Sequence, residues 1–366
     1  MQVKKLEQTE KERTRKLYEE AFPEDSARMR DFYYASRMRE NTVYVIENEQ
    51  EVEGMLCLNP CRVQFGREEL TLSYIVAVAT GQKYRRRGIM RCILTEALRE
   101  EYATGKPFVF LEPANPAYYT PFQFAYASRR EKRILKNDAC YHCRAVDVGD
   151  ESLLNELSAC CNAVLAKKYD IFCLRSPDYL RRVCGEVSAG EGRVLSVWER
   201  QAGGGEKLIG MEVFDYPDTR EQDARVILPD AATLKRCGTE PFIMARILSL
   251  PAFFAGISLR EEVAAEERQF FFSLKDPLIA ENNGVFLLRA TKRGSSVERL
   301  SAETERRQHV TALTPEELVA VFFGMQRAPW AEELTSYRME RNGTEWNVRS
   351  GLPKRRRGEA YGTERV

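Results

Sequence analysis

From residue 9 to residue 22 the apolar positions recur at helical spacing, Thr9 and Glu12 stand at capping-box distance, and Pro23 supplies the stop. Between residues 42 and 80 the period changes. Short β-rich runs, VYVIE, VEGMLCL, CRVQF and LTLSYIVAVAT, are separated by turn-like ENEQ, NP and GREE, and this predicts an antiparallel meander. The last run is apolar at almost every position from 74 to 79, as expected of a central strand covered on both faces. After the basic turn GQKYRRRG, Ile89, Ile93, Leu94, Ala97 and Leu98 share one helical face. Gly105 and Pro107 end that helix before a compact strand to Leu111, so the order strand, helix, strand predicts a parallel crossover.

Beyond Lys136 the pattern restarts. It predicts helices over 151–168 and 178–183, then strands over 194–199 and 208–214 joined by a hairpin loop containing Gly203, Gly204 and Gly205. The window 241–259 is the most apolar long stretch, but Arg246 and Pro251 inside it argue for a buried helix and bend rather than a membrane span. FFFSLKDP, ENNG and VFLLRA read as strand, turn and strand, with Asn282, Asn283 and Gly284 expected in left-handed conformations. Thr314, Pro315 and Glu317 start a helix as cap, first position and box partner. From about residue 342 the chain is polar and carries Lys354, Arg355, Arg356 and Arg357, a loose tail.

At 366 residues the chain is long enough for two or three domains. Its 56 Lys+Arg against 55 Asp+Glu give a net charge of +1, which provides no overall field for a polyphosphate backbone, so nucleic acid is not an expected partner. No uninterrupted apolar stretch follows the first positive charges, and the expectation is a cytoplasmic protein with its ten cysteines reduced. Cys140, His142 and Cys143, with Cys160 and Cys161, are the only hint of a metal site. Adjacent cysteines on a helix point in different directions and there is no outlying histidine partner, so no metal is expected.

The clearest chemistry lies at 74–91, where a central strand runs into a basic, glycine-containing turn and then a helix. Free amides at the helix start, together with the helix dipole, suit phosphate. Gly88 lets the backbone approach closely, while Arg85, Arg86, Arg87 and Arg91 can neutralise phosphoryl oxygens. The signature of GNAT N-acetyltransferases is Gln or Arg, two residues, Gly, one residue, then Gly or Ala; Arg85 and Gly88 fit it, and Met90 takes the last place. The run VAVATGQKYRRRGIMRCIL, with FLEPANPAYYTPFQF downstream, resembles the enhanced intracellular survival (Eis-like) branch, where a larger apolar residue at that last place is common.

The resemblance implies a mixed α/β (α+β) chain, with two tandem GNAT-like mixed-sheet domains followed by a sterol-carrier-like α/β domain. The last of these rests on RILSLPAFF, DPLIAENNGVFLL and TPEEL. The implied divisions are 1–136, 137–245 without a phosphate turn, 246–341, and a basic tail at 342–366. Acetyl-CoA is the implied cofactor. Val78, Ala79 and Thr80 would hydrogen-bond its pantetheine arm and aim an amide at the thioester oxygen, and Arg86, Arg87, Gly88, Ile89, Met90 and Arg91 would cradle its pyrophosphate. Ala114 and Asn115 fall where the family contacts the cofactor arm. Tyr119, followed by Phe122 and Phe124, takes the place of the general acid that protonates the leaving thiolate; neighbouring Tyr118 is the second candidate, set behind it because a one-residue shift changes its direction. Glu112 would face the acceptor amine, Phe22 would line its cleft, and the terminal carboxylate, here on Val366, would be the base. Glu24 and Asp25 read as solvated surface carboxylates. The implied reaction is direct acetyl transfer in a ternary complex to a primary amine of an aminoglycoside, polyamine or lysine, by a protein of a branch that forms homo-oligomers. The rival reading, which the arginine-rich end and Met90 support, is a noncatalytic acyl-CoA-binding or scaffolding protein.

Overall fold

The β-rich runs fold around the 74–79 strand as the meander predicts, and a computed structural model describes them within residues 1–301 and 310–340, with backbone alone at 235–238. In chain order the first segment contains β1 (Lys4–Lys5), α1 (Arg15–Ala21), α2 (Ala27–Ala35), α3 (Arg37–Glu40), β2 (Thr42–Glu47), β3 (Val52–Phe65), β4 (Glu68–Thr80), α4 (Ile89–Ala103), β5 (Phe108–Leu111) and β6 (Ala125–Tyr126). The middle of the chain adds β7 (Arg129–Leu135), β8 (Tyr141–Ala145), α5 (Glu151–Ala166), β9 (Ile171–Cys173), α6 (Pro177–Ala189), β10 (Arg193–Arg200), β11 (Glu206–Phe214), β12 (Arg225–Ile227), β13 (Thr233–Pro241) and β14 (Met244–Ile247). The rest adds α7 (Leu250–Phe254), β15 (Glu267–Leu274), β16 (Gly284–Thr291), β17 (Gly294–Arg299), β18 (Thr311–Leu313) and α8 (Pro315–Phe322).

The first sheet runs β1-β2-β3-β4-β5-β14-β6, and β9 pairs with the far end of β3. β4 and β5 are parallel, as the crossover predicts. A second sheet, β12-β11-β10-β8, is covered by α5 and α6 through Leu154, Leu157, Leu180 and Val183, and a third, β17-β16-β15-β18, belongs to the C-terminal part. The chain is thus a mixed α/β protein with several mixed or antiparallel sheets. No helix among the described residues is long and apolar enough to cross a membrane.

Four local expectations change. The capping box at the N-terminus is Glu7 with Glu10, not Thr9 with Glu12, because Glu7 has the extended backbone a cap requires; the helical segment is a 3-10 turn (Gln8–Thr14) leading into α1. Asn59 and Pro60 do not break the meander but continue β3. On that edge the ladder to β2 stops at Leu58, opposite Thr42, and the ladder to β9 starts at Val63, opposite Cys173, so Pro60 falls in the gap between ladders, where a missing N–H costs little. The apolar window 241–259 is a strand followed by a short helix. β14 is buried throughout between β5 and β6, so its sequence carries no period that separates strand from helix. At the ENNG turn only Gly284 has a positive φ, +140°. Asn282 instead donates its side-chain amide to the Asp276 carboxylate at 3.1 Å, Asn283 Oδ1 accepts from the Asp276 main-chain N–H at 2.7 Å, and the carboxylate also accepts from the main-chain N–H groups of Leu278 and Ile279 and from Arg246 at 2.6 Å. Both Arg246 and Asp276 are fully buried, and a buried carboxylate needs every such donor.

The C-terminal part is tied to the first sheet by an aromatic seam. Phe65 of β3 lies 4.8 Å from Tyr337 and 5.8 Å from Phe108 of β5, and Phe108 meets Phe323 at 5.5 Å. Close by, the buried Arg175 pairs with Glu340 at 2.6 Å.

At α8 the expected box is present: Thr314 Oγ1 accepts from the Glu317 N–H at 3.2 Å, and the Glu317 carboxylate accepts from the Thr314 N–H at 2.7 Å. Thr314→Ala is expected to lower stability by about 1 kcal/mol in urea unfolding, and an unchanged midpoint would show that the cap contributes nothing.

Candidate active site

The site begins with a fault in β4. Met55 pairs with Ala79 and Cys57 with Val76, so Ala77 and Val78 together oppose the single residue Leu56. This is a bulge, and Ala77 takes a left-handed φ of +51° to make it. A non-glycine residue held there costs on the order of 1–3 kcal/mol and persists where surrounding structure over-determines it. On its other side β4 meets β5 at Tyr74, opposite Phe110; beyond it Val78 lies in the bulge, and Ala79 and Thr80 pair only towards β3 among the described residues. The strand end therefore presents main-chain groups on one side, as an added strand would need.

The chain then turns. Gly81 donates to Glu53 O at 2.9 Å, Tyr84 to Gly81 O at 2.8 Å, and Arg85 Nε to Thr80 O at 3.4 Å. Arg86 and Gly88 both have positive φ, +64° and +79°. Gly88 is the N-cap of α4 and supplies no capping side chain, so the first amides of this 15-residue helix face outward with the positive end of its dipole. A Cβ at Gly88 would meet no atom within 4 Å, so the space above the turn is open. Arg85, Arg86, Arg87 and Arg91 are exposed around it. Ile89 is buried and packs where Gly54 makes room: a Cβ at Gly54 would lie 2.4 Å from Ile89 Cγ2. Met90 is half-buried against the core. An outward cradle of amides ringed by guanidinium groups is the donor set a diphosphate requires, and the cofactor implied by the sequence fits it.

The third part is the loop after β5. Asn115 Oδ1 caps the turn Pro116–Tyr118 by accepting from Ala117 N–H at 3.0 Å, which commits its side-chain oxygen locally; Ala114 beside it is exposed. Tyr118 is 57% exposed and Tyr119 only 7%, so the two tyrosines diverge as their one-residue offset predicts. Burial, and secondarily Tyr118, pushes the Tyr119 phenol above its ordinary value. Its ring meets Phe124 at 5.9 Å, and Arg91 of α4 lies over Phe122 at 5.3 Å, which brings the loop against the phosphate-type turn. Glu112 leaves the end of β5 half-buried. Tyr74, which sequence reasoning treated only as part of an apolar strand, sits beside it: burial pushes its phenol well up, and the Glu112 carboxylate adds to the shift.

Phe22 closes α1 at the other side, half-buried and 4.7 Å from Tyr18 in a cluster with Tyr33 and Tyr34. Asp25 is not a surface carboxylate. It is buried and accepts from the Tyr18 hydroxyl at 2.7 Å, a partner that sequence spacing alone did not suggest. Glu24 is likewise partly buried, with Oε1 shielded from solvent. Val366 lies outside the described residues.

Comparison with known families agrees with this geometry. Residues 2–127 match the model of the acetyltransferase (GNAT) domain, and residues 250–343 that of the sterol carrier protein domain. The N-terminal part is therefore a GNAT acetyltransferase domain, which makes the chain an acyltransferase with acetyl-CoA as its donor. No curated protein matches the chain by sequence. Among solved structures, a probable N-acyltransferase from Enterococcus faecalis is similar with TM-score 0.68 at 15% identity, covering 92% of this chain and 93% of that one. A GCN5-related N-acetyltransferase from Anabaena variabilis is similar with TM-score 0.63 at 16% identity, over 92% and 94% of the two chains. Eis1 from Mycobacterium abscessus follows with TM-score 0.61 at 13% identity, over 92% and 94%. At these identities the likeness is one of fold, and it extends across nearly the whole chain.

Proposed function

We propose that the protein transfers the acetyl group of acetyl-CoA to a primary amine, of an aminoglycoside, polyamine or lysine, by direct attack within a ternary complex in the cytoplasm. The observation that carries this reading is the one-sided, bulged end of β4 lying beside the open, glycine-capped start of α4. Arg86, Arg87, Gly88, Ile89, Met90 and Arg91 would hold the diphosphate, and Val78, Ala79 and Thr80 the pantetheine arm, with Ala114 and Asn115 beside it. Acetyl-CoA supplies the activated acyl group. An amide at the bulge would stabilise charge developing on the acyl oxygen, and Tyr119, kept protonated by burial, would give its proton to the departing sulfur. Glu112 and Phe22 would bound the acceptor side, and the Val366 carboxylate would take the amine proton. The proposed division is an acetyltransferase unit at 1–136, a second GNAT-like unit at 137–245 that walls the acceptor side, a sterol-carrier-like unit at 246–341 and a tail, assembling as a homo-oligomer.

Thiol release from acetyl-CoA, screened across a panel of aminoglycosides, polyamines and lysine peptides, tests activity and acceptor together. Turnover is expected with at least one amine class and with no alcohol; thiol release indifferent to every amine would defeat the proposal. Acetyl-CoA at about 100 times its Kd should stabilise the fold by about 2.7 kcal/mol, roughly 3 °C in Tm for a chain of this size.

A further inference from the structure

The basic turn concentrates positive charge. Lys83, Arg85, Arg86, Arg87 and Arg91 are all exposed within a short stretch, and like charges so spaced favour an opened chain before any anion arrives. Two carboxylates from other elements sit against it. Glu20, near the end of α1, accepts from the main-chain N–H of Gln82 at 2.6 Å, at the start of the 3-10 turn Gln82–Tyr84. Glu51, in the hairpin between β2 and β3, accepts from the Tyr84 hydroxyl at 2.7 Å, pairs with Lys83, and reaches Lys16 of α1 at 3.2 Å. Hydrogen bonds from Lys83, then Tyr84 and Lys16, bring the Glu51 carboxyl down to about 2, so it stays ionised at any working pH. The Tyr84 ring in turn has the Lys83 ammonium 5.0 Å and the Arg87 guanidinium 5.4 Å from its centroid.

We infer that Glu20 and Glu51 are positioning residues of the cofactor site, fastening the 81–88 turn to α1 and to the β2–β3 hairpin so that its amides are ready for the diphosphate. The inference rests on the reading of this turn as the coenzyme A site. It assigns a role to two acidic residues where electrostatics alone would forbid one. A carboxylate close to a polyanion's site weakens binding by simple Coulomb repulsion, so deleting a bystander should tighten it. Deleting a residue that preorganises the turn should weaken it, because ordering the turn is then left to the binding step.

That difference in sign supplies the test. Coenzyme A is titrated by calorimetry into the wild-type protein and the Glu20→Gln, Glu20→Ala and Glu51→Ala variants, with melting of the ligand-free proteins to verify folding. Glu20→Gln and Glu20→Ala remove the same charge, but only the former keeps an oxygen that can accept from Gln82. Glu20→Ala is expected to bind about fivefold more weakly than Glu20→Gln. Glu51→Ala is expected to bind more weakly than wild type despite its lost negative charge. Equal affinity in the two Glu20 variants, or tighter binding by Glu51→Ala, would overturn the inference while leaving the coenzyme A site standing. Wild-type protein that fails to bind coenzyme A would overturn the site itself, and this inference with it.

Discussion

Gly88→Val is expected to abolish the thermal shift that acetyl-CoA produces, with affinity reduced by a factor on the order of 100 or more. Gly88 holds φ at +79°, and a β-branched residue there carries a strain on the order of 1–3 kcal/mol that relaxes only by turning the peptide away. The side chain would also project into the space where the diphosphate must meet the amides of α4. The protein itself offers no collision, since nothing lies within 4 Å of the added Cβ, so the variant should fold and the loss should fall on the ligand. Preserved binding in a folded Gly88→Val protein would mean that the phosphate lies elsewhere. Gly88→Ala, with less bulk at the same backbone, should fall between the two.

Tyr119→Phe is expected to lower kcat by about 100-fold while changing the Kd for coenzyme A little, because a general acid is worth roughly that factor and the phenol is not needed to hold the cofactor. The substitution keeps the ring, its burial and its 5.9 Å approach to Phe124, so packing should survive. Equal falls in affinity and rate would make Tyr119 a packing residue. Its pH behaviour follows from the same burial. The folded-state pKa is raised, so the neutral phenol and the stability it contributes are fully present below the ordinary value of about 10 and are lost only as pH rises above it. The pH–rate profile should thus show no alkaline limb from Tyr119 below about pH 10, and a limb near 8 that vanishes in Tyr119→Phe would contradict the burial argument.

Some local signals were legible because one element decides them. The buried face of α4, from Ile89 through Leu98, follows the 3.6 period, and the Thr314 box is complete in its own four residues. The basic turn with Gly88 was legible for the same reason, since a helix start and its punctuation are written in consecutive residues. Asp25 was not. Its burial depends on Tyr18, whose hydroxyl reaches it only once the chain reverses after Pro23. Nor was the bulge at Ala77, because Val76, Ala77 and Val78 read as an unbroken strand and only the register against Met55 and Cys57 creates the extra residue.

The sequence by itself determined that a strand enters an arginine-rich, glycine-punctuated turn and that a helix leaves it, because hydrophobic period and backbone permissiveness are properties of neighbouring residues. Tertiary structure alone decided that β4 parts from β5 beyond Tyr74, that β14 returns from more than 130 residues away to pair with β5, and that Arg91 and Phe122 bring the Tyr119 loop against the turn. Those contacts join residues distant along the chain, and which of many apolar or charged partners meet is set by packing and register, which no single window of sequence contains.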